Sequence, residues 1–218
     1  MRSLALLLGA LVLATRAHAG TVTGQVQLLE KGGAKAKDLS DVVVFVEGVK
    51  AAKPKPATVT MTMKAKGFIP HVVVVPVGGT VEFPNEDPIF HNAFSVSPEN
   101  RFDLELYKKP KSGSWTFKAP GIVNVYCNIH PQMSAVVVVR DNPFYVKAGR
   151  DGAFTIEGVP AGKYTIVAWH ERGGEQGMEV TVPAEGQVGA NLTLDGSKFK
   201  RVQHKNKFGK NYATGERY

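Results

Sequence analysis

Cysteine is almost missing from this sequence: among 218 residues only Cys127 carries a thiol, and tryptophan occurs just twice. A lone thiol excludes the disulfide framework that small exported domains use, and leaves Cys127 either buried and inert or bound to something. After position 19 no apolar run approaches the roughly 20 residues of a membrane-spanning helix, and no long stretch has the 3.6-residue apolar period of an amphipathic one. Also missing are a Ser/His/Asp arrangement, a glycine loop suited to phosphate and a carboxylate pair in a catalytic context, so the sequence gives no ground for an enzyme. Glu86 and Asp87 are adjacent acids, but between Pro84 and Pro88 they are expected to be turn residues.

What is present begins with Met1-Arg2, an apolar stretch from Leu4 to Ala14, and Ala17-His18-Ala19 before Gly20. This is the pattern of a secretory signal peptide, residues 1–19, and predicts a periplasmic protein with no transmembrane anchor. The formal charge of +8 falls to +6 once Arg2 and Arg16 leave, and much of the excess lies beyond Asp195. There Lys198, Lys200, Arg201, Lys205, Lys207, Lys210 and Arg217 face only Glu216, so residues 196–218 are expected to form a solvated basic tail. Its other use is weak contact with an acidic partner or an anionic membrane surface; nucleic acid is not an expected partner of an exported chain.

Short valine-rich and alternating segments separated by Gly, Pro, Asn and Asp predict an all-β protein. The candidate strands are 21–29, 42–47, 58–64, 71–76, 80–84, 114–117, 121–127, 134–140, 153–156, 163–169, 178–182 and 189–194. Residues 85–111 are irregular, with a short helix expected near Asn100 to Tyr107. His71 and His170 are expected to be exposed histidines without functional partners, and Trp115 and Trp169 to be core or face residues.

The chemistry concentrates in Val123-Asn124-Val125-Tyr126-Cys127-Asn128-Ile129-His130-Pro131-Gln132-Met133. Strand alternation puts Val123, Val125 and Cys127 on one face, the inward one, and His130 and Met133 follow at intervals of three. One loop thus offers a thiolate, an imidazole and a thioether. Two histidines with one cysteine and a weak axial methionine are the donors of a blue-copper electron-transfer site, and the second histidine is sought elsewhere. His91 is the candidate. A binuclear copper site wants a second cysteine, structural zinc rarely recruits methionine, and a mononuclear iron site has no supporting motif here.

At these residues the chain resembles the cupredoxins. Cys-x2-His-x2-Met is the short ligand loop of the amicyanin type, and Gly78-Gly79-Thr80-Val81-Glu82-Phe83, with Asn85, Asp87, His91 and Asn92, resembles the upstream cupredoxin pattern. The resemblance spans 58–140 and implies a plastocyanin- or amicyanin-like Greek-key sandwich binding one type 1 copper ion through His91, Cys127, His130 and Met133. It also implies that the side chain of Asn92 ties the ligand loop to the His91 segment and that Pro131 stiffens the loop. The ring edge of His130 would be the solvent-facing exit for the electron, inside an apolar collar of Ile89, Phe90, Ile129 and Pro131.

Residues 20–52 and 143–195 resemble a different module, a transthyretin-like sandwich of the carboxypeptidase-regulatory type, through Thr21-Val22-Thr23-Gly24-Gln25-Val26, Asp151-Gly152-Ala153-Phe154-Thr155-Ile156 and Asn191-Leu192-Thr193-Leu194. The cupredoxin is then inserted into this discontinuous domain; the competing arrangement is two consecutive sandwiches with residues 21–47 belonging to the cupredoxin. Two-part chains of this sort resemble those called methylamine-utilisation-like. The combined expectation is a periplasmic one-electron carrier, not an enzyme, that docks a redox partner with an acidic surface. Two alternatives stay open: a copper-binding or delivery protein without a shuttle role, and an interaction module braced by a structural copper site.

Overall fold

Runs of consecutive valines, at 42–46 (interrupted by Phe45), 72–75 and 136–139, are apolar on both faces of a strand, and such strands require cover on both sides. A computed structural model, which describes residues 19–50 and 53–212, provides that cover by stacking four sheets. Its strands are β1 (Ala19–Leu29), β2 (Val43–Glu47), β3 (Thr58–Thr60), β4 (Thr62–Lys64), β5 (Gly67–Ile69), β6 (Val72–Pro76), β7 (Thr80–Pro84), β8 (Phe94–Ser95) and β9 (Phe102–Asp103). There follow β10 (Ser112–Thr116), β11 (Gly121–Tyr126), β12 (Ser134–Arg140), β13 (Tyr145–Lys147), β14 (Ala153–Pro160), β15 (Gly162–His170), β16 (Gly174–Val182), β17 (Gln187–Gly189) and β18 (Leu192–Asp195).

Pairing sorts these strands into two sets. β1 joins β14, β17 and β18, while β2 joins β13 and β15, and β15 joins β16. The strands from 58 to 140 pair only among themselves, in the orders β10-β7-β3 and β6-β12-β11-β8-β9, with β4 and β5 as a separate hairpin. We call the first set the outer sandwich and the second the inner one. The class is all-β.

Three apolar interiors follow from the stacking. The outer one contains Val22, Val26, Leu28, Val44, Val46 and Ile166; the inner one contains Val81, Phe83, Phe117, Val123, Val125 and Val137. Between the sandwiches lies a third, where Val43, Phe45, Val167 and Trp169 meet Val72, Val136 and Val138. β2 therefore sends Val44 and Val46 one way and Val43 and Phe45 the other, and β12 divides Val137 from Val136 and Val138 in the same manner. Alternate side chains of a strand face opposite sides, so a valine run fills two interiors at once.

Several expectations are corrected. No helix occupies 100–107: after a 3-10 turn at Pro98–Asn100 the chain enters β9, Phe102 is buried, and Glu105 has φ +56, outside the helical region. The 58–64 segment is two short strands, β3 and β4, and β5, β8, β9 and β13 lie outside the expected set. His71 is not without partners: its Nε2 lies 2.7 Å from Glu171 Oε2 and its Nδ1 lies 3.1 Å from the Ser134 carbonyl oxygen. His170 is buried rather than exposed, and its Nδ1 accepts the Arg172 N–H. Both residues sit where the β15–β16 turn meets the inner sandwich, a long-range contact that local polarity does not announce.

The expected signal peptide, apart from Ala19, lies outside the described residues. Among those described, no helix is long and apolar enough to cross a membrane.

Candidate metal centre

The β11–β12 hairpin builds half of the centre. Tyr126 pairs with Ser134, leaving Cys127 to Met133 as the connecting loop, which closes on itself through Cys127 N–H to the Met133 carbonyl (3.3 Å) and Met133 N–H to the His130 carbonyl (3.0 Å). Val123, Val125 and Cys127 all point into the inner core, with the cysteine fully buried, and Met133 is buried in the same cluster.

The other half is the segment before β8. Phe94 pairs with Tyr126, which sets the preceding residues beside the ligand loop. His91 exchanges backbone hydrogen bonds with Tyr107 (3.0 and 2.9 Å), and Asn85 folds the loop beneath it, its Nδ2 donating to the carbonyls of Ile89 and Tyr107. Asn92 spans the two halves: its Oδ1 accepts the Asn128 N–H at 2.7 Å and its Nδ2 donates to Asp103. Pro131 is half-buried within the loop.

His91, Cys127 and His130 come together, with one potential ligand atom from each lying within 4.8 Å of the others. His91 Nδ1 is 2.9 Å from His130 Nδ1, and Cys127 Sγ is 3.6 Å from the same atom. The two imidazole nitrogens face each other at hydrogen-bonding distance; a cation between them would meet two nitrogen lone pairs and a sulfur. Bonds from a first-row ion to nitrogen and sulfur run about 2.0 to 2.3 Å, so donors at these separations fit adjacent corners of one coordination shell.

Burial shapes the electrostatics. It pushes the Cys127 thiol up, against the backbone N–H groups of Asn92, Ile129 and His130, which favour the thiolate. It pushes His130 down to about 4, helped by the charge of His91. His130 is thus a neutral donor at physiological pH. Its ring is only 5% exposed and its Nε2 is buried without a hydrogen-bond partner, so the expected solvent-facing edge is nearly covered. Of the expected collar, Phe90 is 48% exposed, and Lys108 Nζ stands 5.3 Å from its ring centroid.

Two contributors were not anticipated. Asp87 accepts a hydrogen bond from His91 Nε2 at 2.8 Å, and its carboxylate also takes the N–H groups of Ala65 and Lys66 at 2.8 and 2.9 Å. Burial raises its pKa, but these three donors outweigh burial and leave it lowered. The second is the C-terminal segment: most of residues 198–211 are exposed, as expected of a solvated tail, but His204, Lys207 and Tyr212 pack against the ligand loop. Tyr212 Oη donates to the Cys127 carbonyl (2.7 Å), Lys207 N–H donates to Asn128 Oδ1 (2.9 Å), and the His204 ring stacks 4.1 Å from that of Tyr126. Lys207 Nζ is paired with Asp103 and Glu105, while Lys198, Lys200, Arg201, Lys205 and Lys210 are exposed.

No family model and no curated protein matches the chain. Among solved structures it is similar to a Cu-containing nitrite reductase (NirK) from Thermus scotoductus SA-01, at 32% identity over 44% of this chain and 24% of that one, with a TM-score of 0.37. The chain therefore spans about a quarter of the reductase's length. It is also similar to amicyanin, in two structures of reduced point mutants. One is 27% identical and covers 38% of this chain and 82% of that one, with a TM-score of 0.35. The other is 23% identical and covers 44% and 98%, with a TM-score of 0.37.

Proposed function

We propose that the protein is a periplasmic type 1 copper protein that carries single electrons between redox partners, and is not an enzyme. The observation that carries this is the meeting of His91 Nδ1, His130 Nδ1 and Cys127 Sγ in one pocket in which all three residues are buried. Two imidazoles and a thiolate suit both oxidation states of copper, and Met133, buried at the end of the same loop, would be the candidate for an additional weak thioether donor. Copper, when bound, supplies a one-electron couple.

The chain's own residues supply the rest. Backbone N–H groups aimed at Cys127 hold its sulfur as an acceptor, burial keeps water away, and Asn92 locks the two halves in one geometry. Donors fixed in this way move little when the charge at their common point changes by one, which keeps electron transfer fast. Full burial also favours retention of the ion over delivery to an acceptor. Exposed Phe90, with Lys108 beside it, offers a small apolar contact with a basic rim, and weak redox encounters use small interfaces whose charge sets the encounter rate. An acidic redox partner fits that rim. The outer sandwich, which resembles a transthyretin-like domain, serves as scaffold or docking unit, the inner one being inserted into it.

Addition of Cu(II) to the purified protein tests the proposal. An intense thiolate-to-copper band with narrow hyperfine splitting in the paramagnetic spectrum is expected; a colourless, tetragonal spectrum would sink it.

A further inference from the structure

Asp87 has the look of a surface turn acid, yet its N–H and both carboxylate oxygens are committed. Its N–H donates to Asn85 Oδ1 at 2.9 Å, Oδ1 accepts from Ala65, and Oδ2 accepts from both Lys66 and His91. Its side chain is 13% exposed, and the imidazole it touches is completely buried. The donors at Ala65 and Lys66 exist because both residues adopt left-handed backbone, φ +52 and +55, in the tight β4–β5 turn, which aims two successive N–H groups at one carboxylate. Such a turn is uncommon for residues other than glycine, and here it fastens the carboxylate that meets the histidine.

Resting on the copper assignment above, we propose that Asp87 is the positioning residue of the centre: by taking the Nε2 proton of His91 it points the Nδ1 lone pair at the shared site and lowers the reduction potential. A ring has two nitrogens, and fixing the proton on one leaves the other as donor. A carboxylate behind an imidazole makes it a stronger base, and a stronger, more electron-rich donor favours the ion of higher charge. Cu(II) gains more than Cu(I), so the couple shifts downward.

Replacing such a partner typically costs 10- to 100-fold in metal affinity. If the loss falls on Cu(II) alone, each tenfold corresponds to 59 mV for a one-electron couple. Asp87→Asn keeps the shape and an acceptor oxygen while removing the charge; Asp87→Glu restores the charge on a longer stem.

The experiment uses the full chain and the two variants, with three readouts: reduction potential, Cu(II) and Cu(I) affinity by chelator competition, and the imidazole nitrogen signals of the metal-free protein at pH 8. Expected are a proton on His91 Nε2 in the parent, a potential raised by one to two multiples of that 59 mV step in Asp87→Asn, a 10- to 100-fold loss of Cu(II) affinity with Cu(I) affinity within about threefold, and partial return in Asp87→Glu. An unprotonated Nε2 in the parent overturns the inference without any variant. So does a potential in Asp87→Asn equal to the parent's while the parent shows its thiolate-to-copper band. Absence of that band from the parent fails the copper assignment itself, and the nitrogen signals then decide separately whether Asp87 orients His91.

Discussion

The two sandwiches are built from similar apolar stock but treat polarity in opposite ways. Eight polar or charged side chains are buried among the described residues, and six of them, Asn85, His91, Asn92, Ser95, Asn100 and His130, belong to the inner sandwich. The outer core is aliphatic with a single phenylalanine, Phe154. Burying a polar group is costly unless it is hydrogen-bonded, so a cluster of them needs a framework built to hold it. That framework is visible: Asn85 holds the His91 loop, Asn92 holds the ligand loop, and Asn100 binds the Lys118 N–H and the Ala119 carbonyl. Buried polarity is therefore concentrated in one sandwich, and under the proposed function the other supplies support.

The sharpest test of this division is Cys127→Ser. It should abolish the thiolate-to-copper band entirely while the metal-free protein keeps its far-ultraviolet dichroism; a surviving band would end the contrast between a working and a supporting sandwich. The reciprocal change is Leu28→Ala, in the outer core. Large-to-small substitution at a fully buried leucine costs about 2–5 kcal/mol, and denaturant titration should show it with the copper spectrum unmoved. A spectral shift would mean that the support reaches further into the site than the packing implies.

Tyr212→Phe probes the boundary from the C-terminal side. Loss of the hydroxyl's contacts with the Cys127 carbonyl and His204 Nδ1 should cost about 1–3 kcal/mol and quicken the reaction of the metal-free Cys127 thiol with a disulfide reagent. The smallest effect concerns the half-exposed pair that joins the sandwiches. Glu171 raises the pKa of His71, chiefly by hydrogen bonding, and Glu171's own is lowered by the same contact. A raised histidine contributes stability that is full below its unfolded value and fades as pH climbs through the folded one. A lowered carboxylate contributes above its unfolded value and fades as pH falls through the folded one. Stabilisation therefore peaks between the two, near pH 5 to 6.5, and half-exposed pairs of this kind are worth little. Burial depresses His130, His170 and His204, so the thermal midpoint of the metal-free protein should rise from pH 6 to 8 against the opposing contribution of His71, and Glu171→Gln should steepen that rise.

Much of this architecture is legible in the sequence because it depends on periodicity. Valine runs announce strands covered on both faces, and the spacing of Cys127, His130 and Met133 brings three donors onto one hairpin loop. What escaped depends on contacts between distant segments. Asp87 looks like a turn acid until the β4–β5 turn, over twenty residues earlier, is folded against it. His71 acquires its partner a hundred residues later, and Lys207 finds Asp103 and Glu105 at similar range. Strands of two or three residues, such as β8 and β13, are too brief to carry a pattern and exist only because longer neighbours pair with them.

The third interior has a consequence for modularity. Excising residues 58–140 as a free-standing unit would strip the cover from Val72, Val136 and Val138 and offer water a flat aliphatic face, the kind of surface that promotes self-association. The two sandwiches are thus not interchangeable parts: each completes the other's exterior, and transplanting the inner one would require repainting that face with polar side chains first.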